Sequence, residues 1–211
     1  YPLDTLQLPT ILDNDANDTL LQTVLKRTTK GYKYYDMLCE SYGDRKTALL
    51  KFTQAYLASV TFVDDCVGEI LRSIKTNNLS DNTIIVFTSD HGWSMGQKDF
   101  LFKNSPWDES TRVPLIIKNP NNHYAGSTIS NPVSLIDIYP TLVDLVNLED
   151  DNRKNENGAL LDGYSLKPFI ENPLNANWEG PDFALTMLFS GEQSLNPIKP
   201  HEKKKPAYQH W

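Results

Sequence analysis

Cysteine is scarce in this chain, with Cys39 and Cys66 the only two among 211 residues. Two thiols exclude a disulfide-stapled scaffold, and their spacing fits neither a zinc-ligand pattern nor a CxxC redox motif. Long hydrophobic runs are missing as well. The densest, Thr83-Ile84-Ile85-Val86-Phe87-Thr88, is bounded by polar residues and falls well short of the roughly 18 apolar residues a membrane-spanning helix requires. Positive charge is in deficit, 20 Lys and Arg against 27 Asp and Glu, for a formal net charge of −7. A protein built to neutralise phosphates would show the opposite balance, so nucleic acid is not an expected partner. No internal repeat occurs. The chain starts at Tyr1 without a charged and apolar leader, and ends at Trp211 without a capping or turn signal, so it is expected to be a piece of a longer polypeptide.

What is there suffices for one core, with 39% of the residues apolar. Residues 1–46 are rich in Asp, Asn, Thr and Tyr and read as connecting structure, with one short apolar cluster, Leu20, Leu21, Val24 and Leu25, able to make two helical turns. From Thr47 the pattern changes. Leu49, Phe52, Tyr56, Val60, Val63, Val67, Ile70 and Ile74 step by threes and fours, which predicts a helix over 47–75, about 40 Å long, packing this stripe onto a sheet. Cys66 falls beside the stripe and is expected to be a buried structural thiol. Thr83–Thr88 is β-branched without alternation, the pattern of a strand covered on both faces in a parallel sheet. Val113-Pro114-Leu115-Ile116-Ile117 reads as a second such strand. Ile138, Leu142, Leu145 and Val146 predict a helix with Asp137 at its N-cap. Residues 149–158 read as a solvated loop and Phe183–Phe189 as one more strand. Helices interleaved with buried strands predict the α/β class.

The stretch with chemical content is Thr88-Ser89-Asp90-His91-Gly92-Trp93, directly at the carboxyl end of the first strand. Loops converge above the carboxyl ends of strands in open α/β sheets, so the location favours a site. Asp90 offers a hard carboxylate and His91 an imidazole, and the backbone freedom of Gly92 lets both turn toward one cation. The plainer alternative has Asp90 capping the next turn with His91 hydrogen-bonded beside it. Downstream, Lys103 lies between the two strands and is able to act as a point charge against an anionic substrate, or to be an ordinary solvated charge.

Thr83 to Gly92, then Lys103, then Thr111-Arg112-Val113-Pro114-Leu115-Ile116-Ile117, resembles the carboxyl-side metal motif of the sulfatase family within the alkaline phosphatase superfamily. Gln54 to Gly68 is similar to the helix before that strand, Ser134 to Leu145 to the family's Asp-Ile-x-Pro-Thr helix, and Pro206 to Trp211 to the start of its small carboxyl-terminal sheet. The Asp-His pair places the likeness nearer iduronate-2-sulfatase and choline sulfatase than the arylsulfatases that carry Asp-Asn.

The resemblance implies an alkaline-phosphatase-like sandwich with a mainly parallel central sheet flanked by helices, incomplete at both ends. Residues 1–211 would form a single partial domain, in which 1–46 connect, 47–148 make the α/β core with the metal motif, and 149–211 supply loops and the start of the carboxyl-terminal subdomain. It further implies that Asp90 and His91 are ligands of a divalent cation, usually Ca2+, and that Lys103 contacts the sulfate. The family's formylglycine nucleophile arises from a Cys/Ser-x-Pro-x-Arg motif, and neither Cys39 nor Cys66 stands in one, so the nucleophile is expected upstream and the isolated chain is expected to be inactive. The substrate class implied is a sulfated small molecule or glycan, in a secreted, periplasmic or lysosomal-type compartment. Two alternatives stay open. A phosphonate monoester or phosphodiester hydrolase of the same superfamily would favour Mn2+ or another transition metal, and a non-catalytic module would associate with itself or a partner chain through an exposed sheet edge.

Overall fold

The computed structural model describes residues 1–19, 29–120, 122–148, 153 and 155–187. Its elements run α1 (Lys30–Tyr42), α2 (Arg45–Thr76), β1 (Ile85–Thr88), β2 (Ser94–Met95), β3 (Leu101–Phe102), α3 (Asp108–Thr111), β4 (Leu115–Lys118), α4 (Ile138–Leu145) and α5 (Lys167–Glu171). They belong to two compact units. One gathers Tyr1–Ser73 and His91–Val113, and the other Ile74–Asp90 and Pro114–Thr186.

In the first unit, α1 stops at Gly43, whose left-handed φ of 74° ends the helix in a conformation other residues resist. Asp44 then starts α2 by accepting the Thr47 N–H on its carboxylate at 2.8 Å. Ala48, Leu49 and Thr53 are the buried residues of α2. Tyr35, Leu49 and Leu101 form one apolar cluster with Phe52 and Phe102 against it, while Tyr32, Phe100 and Trp107 form another of edge-to-face rings. Gly31 permits the second, because a Cβ there would lie 2.1 Å from the Phe100 ring. The short β2–β3 ladder is antiparallel and pairs Ser94 with Phe102.

The second unit holds the other ladder, β1 against β4, with Ile85 opposite Lys118 and Thr88 opposite Leu115. Buried Asp137 ties its helical part together, accepting from Ser134 N at 2.7 Å and from Tyr164 N at 2.8 Å. Thr141 of α4 accepts the Leu166 N–H in turn.

The helix expected over 47–75 and both strands are present within two residues of their predicted bounds. Six expectations need correction. The β1–β4 pair is antiparallel, and among the described residues no parallel ladder occurs. An unalternating apolar run reports how a strand is covered and says nothing of its direction. Nor is β1 covered on both faces, since Phe87 and Thr88 are exposed. The α2 stripe packs only at its amino-terminal end: Leu49 is 1% exposed, but Val63 is 52% and Ile70 61% exposed. Periodicity identifies which residues share a face and cannot say how far along the helix that face finds a neighbour. Cys66, on the same length of α2, is exposed. Asp137 is the residue before α4 but makes no side-chain cap to it, its carboxylate being engaged by Ser134 and Tyr164. The expected strand at 183–189 is not formed over 183–187, and its last two residues lie outside the described residues, as do the Leu20–Leu25 cluster, Pro206–Trp211 and part of 149–158.

Candidate functional site

His91 and Lys103 come together in the first unit, where Lys103 Nζ lies 2.8 Å from His91 Nε2. An ammonium only donates, so Nε2 is the acceptor, and the ring proton resides on Nδ1. That nitrogen is 2.8 Å from Gly92 O, to which it donates. The imidazole thus has a fixed tautomer, with the Nε2 lone pair presented to a cation and the opposite N–H anchored on a carbonyl, the same arrangement that orients a metal-ligating histidine.

Local packing explains the placement. A Cβ on Gly92 would stand 2.1 Å from Glu109 O and 2.9 Å from Arg112 O, so the chain after His91 passes against the α3 turn closely enough that only glycine fits. Gly92 N–H donates to Ser110 O at 2.8 Å there. Trp93 stacks on the imidazole with centroids 6.2 Å apart and also on Tyr56 at 6.3 Å. Its Nε1 is buried without a hydrogen-bond partner among the described residues.

Lys103 itself is exposed and is flanked by two residues in left-handed backbone, Phe102 at φ 73° and Asn104 at φ 71°. For a bulky side chain such as Phe that conformation costs about 1–3 kcal/mol and persists only where the surroundings enforce it. Here Tyr34, Phe52 and Trp93 meet the Phe102 ring edgewise at 5.4, 5.9 and 5.2 Å. On the approach to Lys103, Lys98 is also left-handed, and its ammonium is bound by Asp15 Oδ1 at 2.8 Å and Asp18 Oδ1 at 3.0 Å. The Lys98 hydrogen bond is the main cause holding the Asp15 carboxyl below its ordinary value, and the same bond raises Lys98.

Asp90 is exposed and follows β1 in the second unit. Among the described residues no group of three or more His, Cys, Asp or Glu side chains is placed to hold a metal. His91 has the chemistry of an oriented nitrogen donor and Asp90 that of a carboxylate donor, and both are short of the three-residue group a metal site would show. Cys39 is half-buried, and burial pushes its thiol up, away from the thiolate a nucleophile needs. A separate cavity of about 530 Å3 in the second unit is lined by Leu115, Ile117, Val133, Leu166 and Phe169 among others, with no acid, histidine or cysteine in its wall.

The structure brings together His91 and Lys103, both named from their sequence pattern, and adds neighbours to which that pattern gave no role: Trp93, Ser110 and the Asp15–Lys98 clamp. Gly92 was visible only as a flexible position.

A family model described as Sulfatase matches residues 6–148. A sulfatase of Formosa agariphila is 33% identical over 82% of this chain and 34% of its own length. Choline-sulfatase of Rhizobium meliloti and iduronate 2-sulfatase of Mus musculus are each 34% identical, over 56% and 46% of this chain and 22% of each relative. Among solved structures, a phosphonate monoester hydrolase from Silicibacter pomeroyi superposes with a TM-score of 0.67 at 26% identity, over 84% of this chain and 34% of that one. A different protein, solved in complex with its substrate D-glucosamine-2-N,6-O-disulfate, gives a TM-score of 0.55 at 32% identity, over 67% of this chain and 29% of that one. The chain spans about a third or less of the length of the relatives it matches.

Proposed function

Because the chain belongs to the sulfatase family, we propose that the whole protein is a sulfuric ester hydrolase and that this chain carries the carboxyl-side half of its metal and sulfate site. The His91–Lys103 pair carries this reading, since it combines an oriented ligand nitrogen with an exposed cationic side chain. Asp90 and His91 Nε2 would hold a divalent cation, Ca2+ by family resemblance, which when bound supplies Lewis-acid polarisation of the sulfuryl oxygens. Gly92 O keeps the His91 proton on Nδ1 and so keeps Nε2 free to donate its lone pair. With Nε2 engaged by such a cation, Lys103 would be a point charge able to absorb negative charge on the sulfuryl group as the ester bond breaks. Trp93 stacks beside the imidazole and restrains the orientation of its ring. The nucleophile, a formylglycine by family resemblance, would come from the remainder of the protein, because neither cysteine of this chain stands in the required motif.

Residues 1–211 are read as part of a single catalytic domain. Its mainly parallel sheet would be completed by strands beyond this chain, with the β1–β4 ladder as its antiparallel portion, and the exposed Ile116 and Phe87 as positions for self-association of the isolated chain. A sulfated glycan is the substrate class favoured, on the likeness to the structure holding a glucosamine disulfate.

The phosphonate monoester hydrolase reading has one observation in its favour, the likeness over 84% of the chain. An assay of the whole protein against glucosamine 6-sulfate, an aryl sulfate and an aryl phosphonate, with Ca2+ or Mn2+, separates the readings. Sulfate turnover that exceeds phosphonate turnover and falls at least about a hundredfold in Lys103→Ala is expected. Preferred phosphonate turnover with Mn2+ would favour the second reading, and no turnover of any ester would leave the non-catalytic module.

A further inference from the structure

The α3 turn contributes nothing to the cation or sulfate contacts described above, yet one of its side chains reaches both segments that carry them. Ser110 is 5% exposed. Its carbonyl accepts from Gly92 N–H at 2.8 Å, one residue beyond His91. Its Oγ stands 3.0 Å from Ser94 Oγ on the same segment. On the other side the same Oγ is 2.6 Å from Ser105 Oγ and donates to Phe102 O at 3.4 Å, two groups that bracket Lys103. A hydroxyl has one proton to donate and two lone pairs to accept with. With the proton on Phe102 O, Ser94 and Ser105 donate to the two lone pairs, and the buried hydroxyl has its full set of partners.

The two segments differ in how much they need such a tie. Between Gly92 and the α3 turn the fit is already steric, since glycine alone passes there. Lys103 sits in a crank between two left-handed residues, and that conformation relaxes wherever its surroundings yield. The Phe102 ring is held by aromatic edges, but the peptide leaving Phe102 and the return at Ser105 are held through Ser110.

We propose that Ser110 is a positioning residue, which sets the segment carrying Lys103 against the segment carrying His91 by joining Gly92–Ser94 to Phe102–Ser105 through one buried residue. Its part in catalysis rests on the sulfatase reading given above; its part in the geometry does not. Ser110 touches neither the cation nor the ester in this assignment and acts only through the His91–Lys103 pair.

The test reads the geometry first. In the metal-free chain, held at one neutral pH with a chelator present, long-range proton–nitrogen spectra of His91 should show the proton on Nδ1 and a bare Nε2. In Ser110→Ala the Lys103 contact loosens and the Nε2 nitrogen signal moves away from its wild-type position, while the proton stays on Nδ1, held by Gly92 O. Ser105→Ala, which removes one of the two bonds on the Lys103 side, should give the same change to a lesser degree, and it decides the matter if Ser110→Ala does not fold. In the whole protein both variants should lower kcat/KM by roughly 10–100-fold, the range seen when groups that orient a metal ligand are removed. Folded variants that keep the wild-type Nε2 signal overturn the proposal, whether or not activity falls, because the hydroxyl would then act by another route. A whole protein that hydrolyses no ester overturns the sulfatase reading alone, and the nitrogen measurement still stands.

Discussion

Lys103 Nζ lies 2.8 Å from His91 Nε2, so in this chain an ammonium occupies the lone pair that a metal ion would use. The two cations compete for one nitrogen. Lys103→Met keeps the length of the side chain and removes the competitor, and a hydrogen bond to a charged group is worth roughly 1.5 kcal/mol, about tenfold in affinity. Titration calorimetry of the chain with Co2+ or Mn2+ should therefore show tighter binding in Lys103→Met. Equal or weaker binding would mean that the ammonium does not oppose the metal.

Gly92 is the second test, because its obstacle is backbone. Alanine there would place Cβ 2.1 Å from Glu109 O and 2.9 Å from Arg112 O, and no rotamer change relieves a contact with carbonyl oxygens. Gly92→Ala should destabilise the chain by at least about 2 kcal/mol, read as a lower urea midpoint. An unchanged midpoint would show that the α3 turn gives way freely.

Helix α2 predicts opposite outcomes at its two ends. Leu49 is fully buried among Tyr35 and Leu101, so Leu49→Ala should cost about 2–5 kcal/mol. Val63 is half exposed, and Val63→Asp should change the stability of this chain by no more than about 0.5 kcal/mol. A severe loss in Val63→Asp would restore the continuous stripe that pattern reading predicts.

These residues also show how much was legible in the sequence. The step of threes and fours from Leu49 to Ile74 gave α2 nearly to its ends, because helical periodicity is a local property repeated over many residues. Which part of that face is covered depends on chain brought from elsewhere, and no local pattern records it. Strand direction is equally silent, since β1 and β4 would carry the same apolar residues in either sense. At the site, the Asp90-His91-Gly92 motif and Lys103 stand out by type and order. Ser110, Ser94 and Ser105 do not, because serine is common, and their relation arises only when α3 folds over the β2–β3 ladder. Asp15 and Lys98 lie 83 residues apart, beyond the reach of any spacing rule.

That Asp15–Lys98 pair gives a pH prediction with a definite sign. The Lys98 ammonium, through its hydrogen bond, is the main cause lowering the Asp15 carboxyl below its ordinary 3.8, and burial opposes it. A carboxyl lowered in the folded state stabilises the fold at pH above its unfolded value, and the contribution disappears as pH falls through the folded value. For Lys98 the hydrogen bond to Asp15 comes first and that to Asp18 second in raising the ammonium above its ordinary 10.5. Its contribution is complete below 10.5 and disappears as pH rises through the higher folded value. The clamp is therefore at full strength between about pH 4 and pH 10, and it fades at either extreme. The Asp15 side chain is 11% exposed and that of Lys98 21%, whereas Asp18 is 70% exposed, so solvent screening limits the whole network to about 1 kcal/mol. Lys98→Met should lower the unfolding free energy by that amount at pH 7, with the deficit shrinking as pH falls below the ordinary 3.8 of Asp15 and through its lower folded value, so that it is smaller at pH 2.5. Urea titrations of both proteins at the two pH values read the difference directly. A deficit that stays constant from pH 7 to pH 2.5 would assign the loss to packing of the lysine stem or to the left-handed backbone at residue 98, and would remove the ion pair from the account of how the segment before Lys103 is held.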